Sequence, residues 1–172
     1  MLNVKYDFSS VHVEVEPPLA DEIIHWGKRQ VPDEDIYVTQ KDPTFGREDE
    51  IHITVLYGIH SDNPKKSIDL ISNLGSVKGT LGKVSIFTNP IKFDVVMIEV
   101  VSEDLCKLNE ILHNKITYTN KYGKYHPHIT VAYVKKGKGW KYSGSSNWEN
   151  KEFTCNFGVF SSKDGSKHRF VL

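Results

Sequence analysis

Cysteine is nearly absent: Cys106 and Cys155 are the two thiols in 172 residues, and neither sits in a metal-type or redox-type spacing. They are expected to be reduced thiols of a cytosolic protein. Net charge is absent too, since 22 basic residues cancel 22 acidic ones. No field of one sign would draw the whole protein onto long nucleic acid or an anionic membrane. A small or short anionic substrate, met by a local patch, stays compatible with that balance. No apolar run approaches the roughly 18 residues of a membrane span, and Met1-Leu2-Asn3-Val4-Lys5 lacks the h-region of a signal peptide. Low-complexity tails and clean linkers are missing as well. What is left is the 38% hydrophobic, 26% charged composition of an ordinary globular chain. Its length suits one domain spanning residues 1–172, or two small lobes sharing a core. A cytoplasmic protein with no membrane attachment and no obligate protein partner is expected.

Short strand-like runs alternate with amphipathic helical segments. Val11-His12-Val13-Glu14-Val15 alternates apolar and polar residues as a half-buried strand does. Pro17-Pro18 ends it, and residues 18–30 then space Leu19, Ile23, Ile24 and Trp26 helically. After the apolar run Ile51 to Ile59, Asp62-Asn63-Pro64 reads as a helix start. Ile68, Ile71 and Leu74 would share its buried face, with Gly75 the stop. Strands are expected near 77–87 and 94–101, followed by a helix capped by Ser102 and carrying Leu105, Leu108, Ile111 and Leu112. Further strands are expected at Ile129 to Val134 and Phe153 to Phe160, separated by a Lys/Gly/Ser-rich loop, 135–147. Such mixing of helices and strands predicts an α+β fold rather than a regular βαβ series.

The informative signal is an internal repeat. His52-Ile53-Thr54-Val55-Leu56-Tyr57 recurs as His128-Ile129-Thr130-Val131-Ala132-Tyr133, 76 positions later, with five of six residues matching. A lone H-x-[ST] is a weak signal; two copies matched across their flanks, both on expected strands, are a strong one. Side chains at i and i+2 share a face of a strand, so each histidine stands beside its threonine. Ile53, Val55 and Tyr57, and likewise Ile129, Val131 and Tyr133, would fill the opposite, apolar face. If the halves are related by a pseudo-twofold, the two His–Thr pairs face each other across a groove.

Phosphodiester cleavage suits such a pairing. One imidazole near pKa 6.5 can be neutral and take a proton while the other delivers one. Threonine hydroxyls can donate to the non-bridging phosphate oxygens, where charge concentrates in the transition state. No metal or other cofactor is required by this chemistry. The motifs are too alike to say which histidine is base and which acid, or whether water or a ribose 2′-hydroxyl attacks.

The doubled H-x-T resembles the 2H phosphoesterase superfamily, which includes 2′-5′ RNA ligase-like proteins and cyclic phosphodiesterases. The resemblance implies a bilobal fold over most of the chain, with two pseudo-symmetric lobes, antiparallel sheets lining a central cleft and helices outside. It implies that His52, Thr54, His128 and Thr130 are the catalytic residues. Asp33-Glu34-Asp35-Ile36-Tyr37, the run Gly46 to Gly58 and Ser9-Ser10-Val11 also resemble the phage branch of that superfamily. That branch includes the anti-CBASS nucleases, which degrade cyclic oligonucleotide messengers of bacterial antiviral defence. Membership there would imply hydrolysis of 3′-5′ bonds in cyclic di- and trinucleotides in a host cytoplasm.

Other side chains have competing explanations. Lys135, Lys136, Lys138 and Lys141 surround Trp140, so the loop either closes over the cleft, with lysines on phosphates and the indole on a base, or is simply solvated. Tyr6 and Trp26 are further stacking candidates, although burial is the better account of Trp26. Arg47 either steers phosphate or pairs with Glu48-Asp49-Glu50. His126 is expected at a strand entry, and His12, His25 and His60 in structural or surface positions. His52 and His128 as metal ligands would lack a third ligand. Tyr57 and Tyr133 belong in the core by alternation. Two alternatives to the cyclic-oligonucleotide enzyme are an RNA-end 2′,3′-cyclic phosphodiesterase or 2′-5′ ligase-like enzyme, and a non-catalytic cyclic-nucleotide-binding module.

Overall fold

The computed structural model describes residues 5–40, 42 and 44–172; most of the chain start read above for an h-region, Met1 to Val4, lies outside the described residues. Among the described residues, eight strands make one antiparallel sheet in the order β6-β3-β4-β5-β2-β1-β7-β8. They are β1 (Ser9–Glu14), β2 (His52–Ile59), β3 (Val77–Thr88), β4 (Phe93–Val101), β5 (His128–Lys135), β6 (Glu152–Cys155), β7 (Phe157–Ser161) and β8 (Lys167–Val171). The sheet curls into a half-barrel with, among the described residues, three α-helices, α1 (Leu19–Gln30), α2 (Lys65–Ile71) and α3 (Glu103–Lys115). The expected α+β class is the one observed. Each repeat strand heads a four-stranded half, and the halves meet where β2 lies beside β5, through the single pair Ile53–Ile129. Among the described residues no helix is long and apolar enough to cross a membrane.

Local chemistry explains the elements. The Ser102 hydroxyl caps α3 by accepting from Leu105 N–H at 3.2 Å and ties it to β3 by donating to the Lys78 carbonyl at 2.6 Å. Leu105, Leu108 and Leu112, spaced three and four apart, are its buried stripe. Helix α1 buries Ile23, Trp26 and Gly27. Gly27 lets α1 approach β5: a β-carbon there would stand 2.8 Å from the Val131 side chain. Helix α2 begins after Pro64 but ends at Ile71, earlier than the periodicity suggests. Asn73 takes a left-handed φ of 59° beyond it, and Leu74 is exposed instead of lying on the buried face.

The apolar run Phe153 to Phe160 is not one strand but two. β6 pairs with β3 at one edge of the sheet, while β7 pairs with β1 in the other half. The corner is Asn156, whose backbone N–H and side-chain amide both donate to the Glu16 carboxylate, at 3.1 and 2.8 Å. The charged edge strand β8 pairs with β7; its sequence, Lys167-His168-Arg169-Phe170-Val171, gives no apolar alternation to read.

Both repeat strands carry a β-bulge at the same place. β1 pairs Val11 with Leu56 and His12 with Thr54, skipping Val55. β4 pairs Val96 with Ala132 and Met97 with Thr130, skipping Val131. A bulge shifts the alternation by one residue. Val55 with Leu56, and Val131 with Ala132, are therefore buried in succession. The next residues, Tyr57 and Tyr133, turn to the face that carries the histidines and threonines. This corrects the expectation that both tyrosines are core residues: Tyr57 is 36% exposed and Tyr133 half-buried. The bulged carbonyls find separate donors, the Asn109 amide of α3 on Val55 at 2.7 Å and the Glu48 N–H on Val131 at 3.0 Å.

Candidate active site

Pairing of Ile53 with Ile129 determines which residues of the two motifs stand together on the concave face. In an antiparallel register it sets His52 across from Thr130 and Thr54 across from His128. The four residues are all half-buried, while both isoleucines are fully buried on the helix-bearing face. The repeat thus becomes a four-residue constellation at the seam between the halves.

Each imidazole is fixed in the same way. His52 Nδ1 lies 2.8 Å from the Glu50 carbonyl, and His128 Nδ1 lies 2.9 Å from the His126 carbonyl, in both cases two residues upstream. A carbonyl only accepts, so Nδ1 carries the proton and donates. Nε2 is left to take or give a proton. His126 itself is exposed and serves through its backbone oxygen.

The environments of the two rings differ. Burial holds His52 below the ordinary histidine pKa, against the pull of the Glu50 carbonyl, while Lys167 and His128 press it the same way as burial. His12, from the neighbouring strand β1, lies against it with ring centroids 4.6 Å apart. Burial first, then His52 and Lys167, push His12 down to about 3. Across from His128 on β4 stands a carboxylate, Glu99. Glu48 is pushed up to about 7 by burial, helped by Asp49 and Glu50 and opposed by Lys167. Lys167 pairs with the Glu50 carboxylate and so reaches the seam from β8.

An aromatic rim borders these groups. Tyr57 packs on Phe8 and Tyr122, with centroids at 5.9 and 6.2 Å. Tyr133 packs on Phe45 and Phe93, at 5.2 and 5.4 Å, and burial pushes its hydroxyl up to about 12. The Tyr125 hydroxyl donates to the Thr54 carbonyl at 2.9 Å.

The expected substrate contacts fall elsewhere. Trp140 is 65% exposed on a 3-10 turn, Gly139–Tyr142. That turn packs on Ile86 and Asp94, whose side chains point to the helix-bearing face, and Asp94 accepts from the N–H groups of Gly137 and Gly139. Asp35 holds the same turn through the Tyr142 hydroxyl at 2.6 Å and through Lys141; hydrogen bonds from Lys141 and then Tyr142 hold its carboxyl below the ordinary value, with a smaller pull from Lys138. Trp140 and Lys138 are therefore set behind the sheet, not over the imidazoles. The Arg47 guanidinium is engaged by the Val31 carbonyl at 2.5 Å and Asp33 at 2.7 Å, so it clamps the end of α1 rather than presenting itself to phosphate. Tyr6 lies by the β7–β8 turn, its N–H on the Lys163 carbonyl and its ring beside Gly165. Trp26 is buried against Trp148. Among the described residues no three His, Cys, Asp or Glu side chains converge in a metal-binding group.

The residues missed in the sequence are His12, Glu48 and Lys167. Alternation placed His12 on the polar face of its strand; what was unread is that β1 is the immediate neighbour of β2. Lys167 arrives from a strand with no periodic signal, and Glu48 through loop pairing with β5.

No protein-family model matches this chain, and no curated protein matches it either. Solved structures do. Usb1 of Kluyveromyces marxianus with uridine monophosphate superposes with a TM-score of 0.62 at 12% identity, covering 96% of this chain and 98% of its own. E. coli LigT complexed with 3′-AMP gives 0.59 at 17% identity, covering 98% and 95%. TT0787 of Thermus thermophilus gives 0.57 at 12%, covering 96% and 94%. At such identities the likeness is one of fold, end to end, and the fold is the α+β half-barrel expected of a 2H phosphoesterase.

Proposed function

We propose that the protein is a phosphodiesterase of the 2H type that cleaves a phosphodiester in a cyclic or short oligonucleotide by two-histidine acid–base catalysis. The observation that carries this is the Ile53–Ile129 pair, with both imidazoles clamped through Nδ1 and Nε2 free at one seam. His52, kept neutral by its dry surroundings, takes the proton of the nucleophile. His128 hands its Nε2 proton to the leaving oxygen. Thr54 and Thr130, one from each half, hold the non-bridging oxygens as charge gathers on them. Each function is supplied by the chain's own side chains, so turnover proceeds without a metal.

The finer substrate is a 3′-5′ cyclic di- or trinucleotide, as in the anti-CBASS branch, acted on in a host cytoplasm. In its support, the run Gly46 to Gly58 on which the narrower resemblance rests is also the run that supplies Glu48, the Glu50 carbonyl and the first His–Thr pair. A balanced net charge also suits a small anionic ligand better than long RNA. A second reading, processing of RNA ends, is favoured by the neighbours' ligands, uridine monophosphate on Usb1 and 3′-AMP on LigT.

The test is a substrate panel in EDTA: cyclic dinucleotides and trinucleotides, 2′,3′-cyclic-ended RNA and linear 2′-5′ oligomers, with chromatography of the products. Turnover of the cyclic messengers, lost by at least about 10²-fold in His52→Ala and in His128→Ala, is the expected result. Turnover of cyclic ends alone moves the assignment to RNA processing. Activity abolished by EDTA and restored by a divalent ion contradicts the mechanism, and tight binding with no product leaves a binding module.

A further inference from the structure

The two copies of the repeat are nearly identical, yet their surroundings are not. Among the described residues β1 is the only strand flanking β2 along its length, and it brings a third imidazole into the site. Thr54 pairs with His12 and His52 with Glu14 in the β1–β2 register, and the His12 ring lies tilted at 47° against His52 with centroids 4.6 Å apart. β5 receives no such ring from its own neighbour: β4 sets Glu99 across from His128 and Met97 across from Thr130. One histidine is therefore walled by an imidazole, while the other has no ring beside it from its neighbouring strand.

We infer that His12 is a positioning residue for His52: its ring closes one flank of the His52 imidazole, keeps water from it and so holds it in the neutral, proton-accepting form. This rests on the two-histidine reading above and deepens it, because it breaks the symmetry of the motifs and makes His52 the base and His128 the acid.

Charge alone does not explain the arrangement. The charged and titratable groups set against His12 and His52 are Glu14 on β1, Glu50 before β2, His128 on β5 and Lys167 on β8, with Arg169 of β8 reaching Glu14. Lys167 is paired with Glu50, and Arg169 with Glu14 at 2.8 Å, so the two cations of β8 are each matched by a carboxylate. What these pairs do not supply is a dry surface against the ring, and that is what His12 provides. Pushed down to about 3, it stays uncharged at any working pH and acts as a flat, neutral wall.

The experiment compares the wild-type protein with His12→Ala and His12→Phe. Histidine ring resonances are followed by NMR across pH, and kcat/KM across pH is measured with bis(4-nitrophenyl) phosphate, whose leaving group needs no acid, so its acidic limb reports the base. Removing the wall lets water reach His52. In His12→Ala, the His52 titration and the acidic limb should both move up by about one pH unit or more. In His12→Phe, where a neutral ring remains, both should stay at the wild-type position. A His52 that titrates at the same pH in wild type and His12→Ala, or that moves as far in His12→Phe, overturns the inference. A merely structural loss would lower rates at every pH without moving the limb, and it too would count against the role. The NMR arm reads His52 even in a protein that turns nothing over, so failure of the phosphodiesterase assignment is distinguishable from failure of this one.

Discussion

Glu48 shows how much the environment at the seam alters a single residue. Its carboxyl, ordinarily at 4.5, is pushed up to about 7. The folded state therefore binds the proton more tightly than the unfolded one. Its stabilising contribution is complete below the unfolded value of 4.5 and is lost as pH rises through 7. His12, depressed to about 3, works the other way: its contribution is full above the ordinary 6.5 and is lost as pH falls toward 3. The two slopes oppose each other in the range between. Glu48→Gln, which cannot ionise, should therefore stabilise the protein at pH 8 by about 1–2 kcal/mol, less than the full shift because the group is not fully dry. The gain should fade near pH 4.5. Urea unfolding at the two pH values measures this; an equal effect at both would mean that Glu48 ionises normally. At this scale the sequence was legible for identity and not for neighbours. His52, Thr54, His128 and Thr130 could be named because they repeat, whereas Lys167 approaches His52 only through non-local pairing.

At the scale of elements, the twin bulges are what alternation could not show. A period of two predicts a face correctly until one inserted residue shifts it. That is how Tyr57 and Tyr133 pass from expected core to the concave face, where they border the site on the two halves. The same limitation hid the corner at Asn156, since Phe153 and Cys155 on one side and Val159 and Phe160 on the other are all buried and read as one run. Helix α3, by contrast, was legible to its cap, because Ser102 and the leucine spacing are local signals. The bulge in β2 leaves the Val55 carbonyl to the Asn109 amide. Asn109→Ala removes that donor and should cost about 1–3 kcal/mol, the penalty of a part-buried carbonyl without a partner. It should also lower turnover, since the bulge sets the strand that carries His52 and Thr54. A stability change within about 0.5 kcal/mol would show that the bulge stands without this bond.

At the scale of the whole fold, eight strands of the described residues form one continuous sheet from two halves that touch at their repeat strands, and one core draws buried residues from both halves. That layout explains why the α+β class was accessible from sequence while the faces to which the loops carry their side chains were not. Trp140 and Lys138 follow the second motif closely along the chain and Arg47 precedes the first, yet all three belong to segments at the other face of the sheet. The account depends on the seam presenting both imidazoles to one phosphorus atom. The most direct measurement is NMR of the histidine side chains as inorganic phosphate is added. The account predicts that the Nε2 resonances of His52 and His128 respond together with one dissociation constant, and that the His128 response weakens sharply in His52→Ala. Responses with separate constants, or a His128 that binds phosphate unchanged when His52 is gone, would contradict it.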